Sequence, residues 1–139
     1  MAFDLGQTSP FPPASCSHKG KTHMVFVANN NSNELLHADS RDGRNFIRRN
    51  NLGQSTKFAP AITSNGTTLR VIFVANNNAN EILQCVYDDV HDIWGPNIRI
   101  GEQAHAAPTL GRTPTNGLQL YFVANNNSNT LLMKPIAEN

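Results

Sequence analysis

The apolar positions of this chain fall in short runs of strand length, separated by polar turns, and no segment carries a helical stripe of useful length. The central part is clearest. "PAITS" from Pro60, "TTLRVIFVA" from Thr67, "EILQCVYD" from Glu81 and "NIRIG" from Asn97 each read as a strand rich in β-branched or aromatic residues. Asn65-Gly66 sits between the first two, and "NNNAN" between the next two. Asn-Gly favours a tight hairpin, because both residues accept positive φ. Asn tolerates the left-handed region, and its side chain bonds backbone two residues on.

The same order recurs on both sides. "FVANNNSN" at Phe26 returns as "FVANNNAN" at Phe73 and "FVANNNSN" at Phe122, at spacings of 47 and 49 residues. A second landmark moves with it: "LGQTSPF" at Leu5, "LGQSTKF" at Leu52 and "IGEQAHA" at Ile100, at spacings of 47 and 48. A shared period in the forties marks a repeat architecture of one four-stranded antiparallel unit per repeat. The expected fold is therefore all-β, a β-propeller with three blades per chain. Residues 1–14 form a spare outer strand and loop, 15–55 blade 1, 56–103 blade 2, and 104–139 blade 3 without its outer strand. "AFDLG" at residues 2–6 matches the fourth strands "FIRRNNLG" and "NIRIG", whereas "NTLLMKPIAEN" is a third strand with no fourth after it. Three blades do not close a ring, so the expectation is a homodimer of six blades in which each N-terminal strand completes the partner's third blade.

Composition narrows the partners. The formal net charge is +1 and charged residues make up 15% of the 139, which gives no electrostatic case for nucleic acid or an anionic membrane surface. No run approaches 18 apolar residues, so no membrane insertion is expected. The N-terminal stretch has neither the basic nor the apolar region of a secretory leader, which leaves the compartment open between the cytoplasm, another export route and a leader already removed. Cys16 and Cys85 occupy non-equivalent places in the repeat and are expected to be reduced and structural. No cofactor motif, phosphate loop or Cys/His metal spacing is present, and the Asn runs hold too few carboxylates for calcium.

In a propeller the loop between strands two and three shares a rim with the loop leading from strand four to the next blade. The best-repeated polar motifs thus converge on one face. The candidate ligand-binding residues are Asn30, Asn31, Asn33 and Glu34, then Asn77, Asn78, Asn80 and Glu81, then Asn126, Asn127 and Asn129. Gln7, Gln54 and Gln103 join them from the second landmark, and Trp94 is a candidate stacking platform. Amides both donate and accept, which suits the hydroxyls of neutral sugars. Thr130 stands where Glu34 and Glu81 stand in the other copies. Two plainer readings remain beside these: the asparagines build the turns, and Trp94 plugs the outer layer as Phe46 does.

"SRDGRNF" at Ser40 resembles a shortened Asp-box, the folding hairpin of sialidase-type propellers, and "DDVHDIW" keeps its final aromatic. The pattern of "GQSTKFAPAI", "VIFVANNNANEILQC" and "IWGPNIRIG" resembles that of repetitive β-propeller lectins of fungi and bacteria, over essentially the whole chain. That resemblance implies multivalent carbohydrate binding. The expectation is a non-enzymatic lectin whose partners are glycans. Near-identical blades argue for identical sites, and catalytic sites are singular. The alternatives are a protein-interaction propeller and a sialidase-like glycoside hydrolase.

Overall fold

A computed structural model describes residues 1–138. The chain is all-β: twelve strands in three antiparallel sheets, with no helix among the described residues. No helix is therefore long and apolar enough to cross a membrane. The first sheet runs β1 (Ala14–His18), β2 (Lys21–Val27), β3 (Glu34–Ser40) and β4 (Ile47–Ser55), in that spatial order. The second holds β5 (Ala61–Ser64), β6 (Leu69–Val74) and β7 (Glu81–Asp88), with both β8 (Ile93–Trp94) and β9 (Ile98–Gln103) pairing β7. The third has β10 (Thr109–Arg112), β11 (Leu118–Val123) and β12 (Leu131–Ile136). Residues 2–6, expected as a strand, pair with none in this chain.

The expected strands appear, but the turns differ. Asn65-Gly66 does not form a two-residue hairpin. The loop runs from Ser64 to Leu69, and only Gly66 has positive φ, at 91°. The Asn65 side chain explains this, since its Oδ1 accepts from the amides of Thr67 (2.9 Å) and Thr68 (2.7 Å) and holds a wider loop. The tight hairpin is at Lys19-Gly20, where both residues have positive φ and His18 pairs Lys21.

Alternation along the central strands builds two seams. Val25, Val27 and Leu35 of the first sheet meet Val71, Phe73 and Leu83 of the second. On the other face of the second sheet, Ile72, Val74 and Ile82 meet Leu120 and Phe122 of the third. One strand, β6, thus feeds both seams, and all six of its residues are buried. Polar groups at the strand ends lace the seams. His18 bonds Ser64 Oγ (2.5 Å) and Asp89 Oδ1 (3.0 Å), while the Arg112 guanidinium donates to Thr63 Oγ1 (3.2 Å) and Ser64 O (3.3 Å).

The fourth strands share a bulge. Glu34 faces Ser55 and Leu36 faces Asn51; Glu81 faces Gln103 and Leu83 faces Arg99. The extra residues are taken up at Gly53 (φ 75°) and Gly101 (φ 89°). A Cβ at Gly53 meets nothing within 4 Å, so alanine there is strained by backbone alone. Gly53→Ala is expected to lower the unfolding free energy by about 1–2 kcal/mol in urea melts, and an unchanged midpoint would contradict it.

Candidate functional site

The asparagine runs are, first of all, turns. The second Asn of each run does the building. Asn30 Oδ1 accepts from Ser32 N (2.8 Å), Asn77 Oδ1 from Ala79 N and Asn80 N (both 3.0 Å), and Asn126 Oδ1 from Ser128 N (2.8 Å). Asn33, Asn80 and Asn129 close each turn at φ of 54°, 54° and 56°, a conformation Asn tolerates. Asn80 is buried and ties three segments together. Its amide donates to Asn125 Oδ1 (2.9 Å) and its oxygen accepts from Lys57 Nζ (2.7 Å). Asn31, Asn78 and Asn127 remain exposed at the turn tips.

The glutamates and glutamines separate the sheets chemically. In the first sheet, Glu34 accepts from the Asn51 amide, and Gln54 Oε1 accepts from Asn97 Nδ2 (3.2 Å). In the second, Glu81 and Glu102 line one cleft of about 300 Å³ together with Arg99 and Gln103. The bulge at Gly101 brings them there, since it lets the chain turn between Arg99 and Gln103 while both remain opposite β7. Arg99 Nε lies 3.6 Å from Glu81 Oε2. Lys134, reaching over from β12, donates to Ile100 O (2.7 Å) and stands 3.4 Å from Glu102 Oε2. The cleft thus holds two carboxylates and the Arg99 cation, and Lys134 of the third sheet stands beside one of the carboxylates. The first sheet has Gln54 in place of Glu102, and the third has Thr130 in place of Glu81. The carboxylate pair occurs once per chain. Gln7 is exposed on the N-terminal segment and lies in no ladder.

Trp94 is not free on the rim. Its indole N–H donates to His37 Nδ1 (3.3 Å), and the ring packs edge-on to His37 and against Tyr87. A polar cluster that periodicity does not reveal fills this part of the first seam. His37 Nε2 lies 2.9 Å from His23 Nδ1 and the two rings stack. The indole donor fixes the tautomers: His37 carries its proton on Nε2 and donates it to His23. Tyr87 donates to Asp92 beside them. No motif marks this cluster, because its members lie on separate strands of two sheets.

His23, His37 and Asp39 are buried, with one donor atom each within 4.8 Å of the others, the geometry of a possible metal site. Several of their polar atoms are engaged within the protein. Asp39 Oδ2 accepts from Arg49 Nε (2.9 Å) and Lys21 Nζ (3.4 Å), and the imidazoles bond each other. Ion pairing and neutral imidazole bonding account for the arrangement without a metal.

Burial, reinforced by the neighbouring His23, lowers the His37 pKa from 6.5 to about 4, and burial lowers that of His23 as well. An unfolded chain protonates His37 below pH 6.5, whereas the folded chain resists until about 4. Stability is therefore full above pH 6.5 and is lost as pH falls towards 4. For a fully buried ring the loss is about 3 kcal/mol. Urea melts at pH 7.5 and 4.5 should show it, and His37→Gln should reduce the difference; equal slopes in both proteins would contradict it.

The Asp-box-like hairpin is a folding device. Asp42 accepts from the amides of Arg44 (2.9 Å) and Asn45 (2.8 Å), which holds its carboxyl well below the usual range. Asp88 caps Val90 (3.0 Å) and His91 (3.2 Å) in the same way, so the second copy keeps more of this device than its sequence suggests.

No protein-family model matches the chain, and no curated protein matches it. Solved structures do. The xyloglucan-locus enzyme GH43B of Bacteroides ovatus superposes with a TM-score of 0.74 at 11% identity, over 97% of this chain and 29% of that one. The exo-β-1,3-galactanase 1,3Gal43A of Clostridium thermocellum gives 0.60 at 12% identity, over 95% and 37%. The GH43_1 enzyme of Xanthomonas citri, complexed with xylose, gives 0.53 at 11% identity, over 79% and 38%. The chain spans under two fifths of the length of each. These neighbours are β-propeller glycoside hydrolases, and the likeness establishes a propeller-like all-β fold.

The comparisons correct the functional expectation. The reading as a non-enzymatic lectin is overturned, because the folds it matches are those of glycoside hydrolases. The reason for the error is physical. That reading rested on equal sites in equal blades, whereas the carboxylate pair is confined to the second sheet and much of the asparagine chemistry is consumed by turns.

Proposed function

We propose that this chain belongs to a glycoside-hydrolysing propeller, with Glu81 and Glu102 as its carboxylate pair. The observation that carries the reading is the single cleft holding both glutamates with Arg99 and Gln103. Hydrolysis of a glycosidic bond needs two carboxyl groups flanking it. One gives a proton to the leaving oxygen as the anomeric C–O bond breaks. The other activates water, or attacks the anomeric carbon itself before water replaces it. Gln103, and Asn78 at the neighbouring turn tip, offer amides to sugar hydroxyls. Arg99 holds Glu81 by charge rather than by a short hydrogen bond, which leaves its carboxylate oxygens open to substrate.

In this reading the three sheets are three consecutive blades, residues 15–55, 56–103 and 104–139, of a six-bladed ring made by two chains. Each ring then carries two clefts. The test is a panel of aryl β- and α-glycosides and neutral plant-wall oligosaccharides, followed by release of reducing ends. Turnover on at least one class of neutral glycoside is expected. Folded protein that turns over none of them overturns the proposal.

A further inference from the structure

The third sheet has two open features among the described residues. The outer edge of β12 carries no strand, where β3 carries β4 and β7 carries β9. Its outward face is apolar: Tyr121, Leu131 and Met133 are 43%, 79% and 49% exposed. In the repeat Tyr121 and Leu131 stand where Ile72 and Ile82 stand in the second sheet, and Val25 and Leu35 in the first, all four fully buried in the seams. At the other end of the molecule, Met24, Phe26 and Phe46 of the first sheet line an apolar hollow of about 210 Å³ with Leu5 of the N-terminal segment. One end thus presents the face that each internal seam takes from its earlier sheet, and the other end presents the face taken from its later sheet.

The N-terminal segment is already shaped for that missing seam. Gly6 has φ 76°, matching Gly53 at 75° and Gly101 at 89°, although no ladder surrounds it. Asp4 Oδ1 accepts from Gly6 N at 2.8 Å, as Asn51 Oδ1 accepts from Gly53 N at 2.8 Å in the fourth strand of the first sheet. Three residues after each of these two later glycines, a backbone N–H reaches the last Asn of the preceding turn. Thr56 N donates to Asn33 O (2.9 Å), and Ala104 N to Asn80 O (3.0 Å). Ser9 occupies the same place after Gly6. It is fastened to its own first sheet by the Val27 amide, which donates to Ser9 Oγ (3.2 Å). Its counterpart Asn would be Asn129, held at φ 56° like the other two.

We infer that a second copy of this chain docks on the open end of the third sheet, its residues 4–8 pairing with β12 as the fourth strand and its first sheet covering Tyr121, Leu131 and Met133. The register follows from the repeat. Thr8 faces Thr130, as Ser55 faces Glu34 and Gln103 faces Glu81. Asp4 faces Leu132, as Asn51 faces Leu36. Ser9 N donates to Asn129 O across the junction. The exchange is reciprocal, so both junctions of a two-chain ring are the same contact. The N-terminal segment does not have to unlatch, because it already lies against its own first sheet where the partner's third sheet would arrive. This inference rests on the blade reading above and is independent of the hydrolytic chemistry.

Engineered disulfides separate the two. With Cys16 replaced by serine, Thr8→Cys with Thr130→Cys should, on mild oxidation with copper phenanthroline, shift the bulk of the protein to twice the monomer mass on a non-reducing gel. Each single variant should stay largely at the monomer position. The control Glu34→Cys with Ser55→Cys should close within one chain and run as a monomer with no free thiol at those positions. If the control closes and the Thr8/Thr130 pair remains reduced, or closes within one chain, the docking inference is overturned. If the control also fails to close, the blade register itself is wrong and both readings fall. Light scattering of the unmodified protein should give a particle of two chains, and a stable monomer would contradict the inference on its own.

Discussion

Replacing Glu102 with glutamine is expected to lower kcat/KM for glycoside hydrolysis by roughly 10²- to 10⁴-fold, with the melting temperature within a few degrees of the parent. Glu81→Gln should cost about as much. The substitution is close to isosteric and exchanges a proton-transferring carboxyl for an amide. Both side chains are partly exposed and lie in a cleft rather than in a seam core. A collapse of the fold would therefore not explain the loss. The partners of the two groups differ. Glu102 has Lys134 from the third sheet at 3.4 Å, and Glu81 has Arg99 of its own sheet at 3.6 Å. Lys134→Met should thus act on Glu102 and leave Glu81 with its own Arg99 partner. Variants that keep full turnover would remove these glutamates from the chemistry.

The largest effect on stability is expected at Phe73. Its side chain is fully buried between the first two sheets, against Val25, Val27 and Leu35 on one side and Val71 and Leu83 on the other. Phe73→Ala should lower the unfolding free energy by about 3–5 kcal/mol, since the transfer free energy of the ring is lost and a cavity is left in a site walled by two sheets. Ile72→Val, one residue away on the opposite face, removes a single methylene from the second seam and should cost about 0.5–1.5 kcal/mol. Urea midpoints for the two variants test the order. Equal small shifts would mean that the sheets do not pack as described.

Local patterning carried most of the fold. "EILQCVYD" coincides with β7 residue for residue, because a β-branched, aromatic run between two turn signals leaves little choice. The turns were less legible. Asn65-Gly66 has the sequence of a tight hairpin, but the Asn side chain captures two amides and widens the loop, while Lys19-Gly20 makes the tight turn with no Asn at all. The site was harder still. Glu81 stood out because it recurs with the repeat as Glu34, and Gln103 because it lies within the second landmark. Glu102 did not, because its significance lies in breaking the repeat: Gln occupies the matching place in the other two copies, at Gln7 and Gln54. Its neighbour Lys134 comes from another sheet, a contact that no local pattern records. Trp94 was open to two readings, a sugar platform and a plug of the outer layer. An aromatic before a fourth strand suits a sugar platform, yet its indole meets His37, 57 residues earlier, and joins a buried chain of imidazoles. Repetition located the scaffold, and a departure from it marked the cleft.

The measurement that bears most directly on the carboxylate pair is a double-mutant cycle on hydrolysis. kcat/KM is measured for the parent protein, Glu81→Gln, Glu102→Gln and the double variant on one glycoside, with unfolding curves confirming that all four are folded. Two groups acting in one bond cleavage are not additive. The double variant is predicted to be no more than about tenfold worse than the poorer single variant. Losses that multiply, or single variants with undiminished turnover, would contradict a shared site in the Glu81–Glu102 cleft.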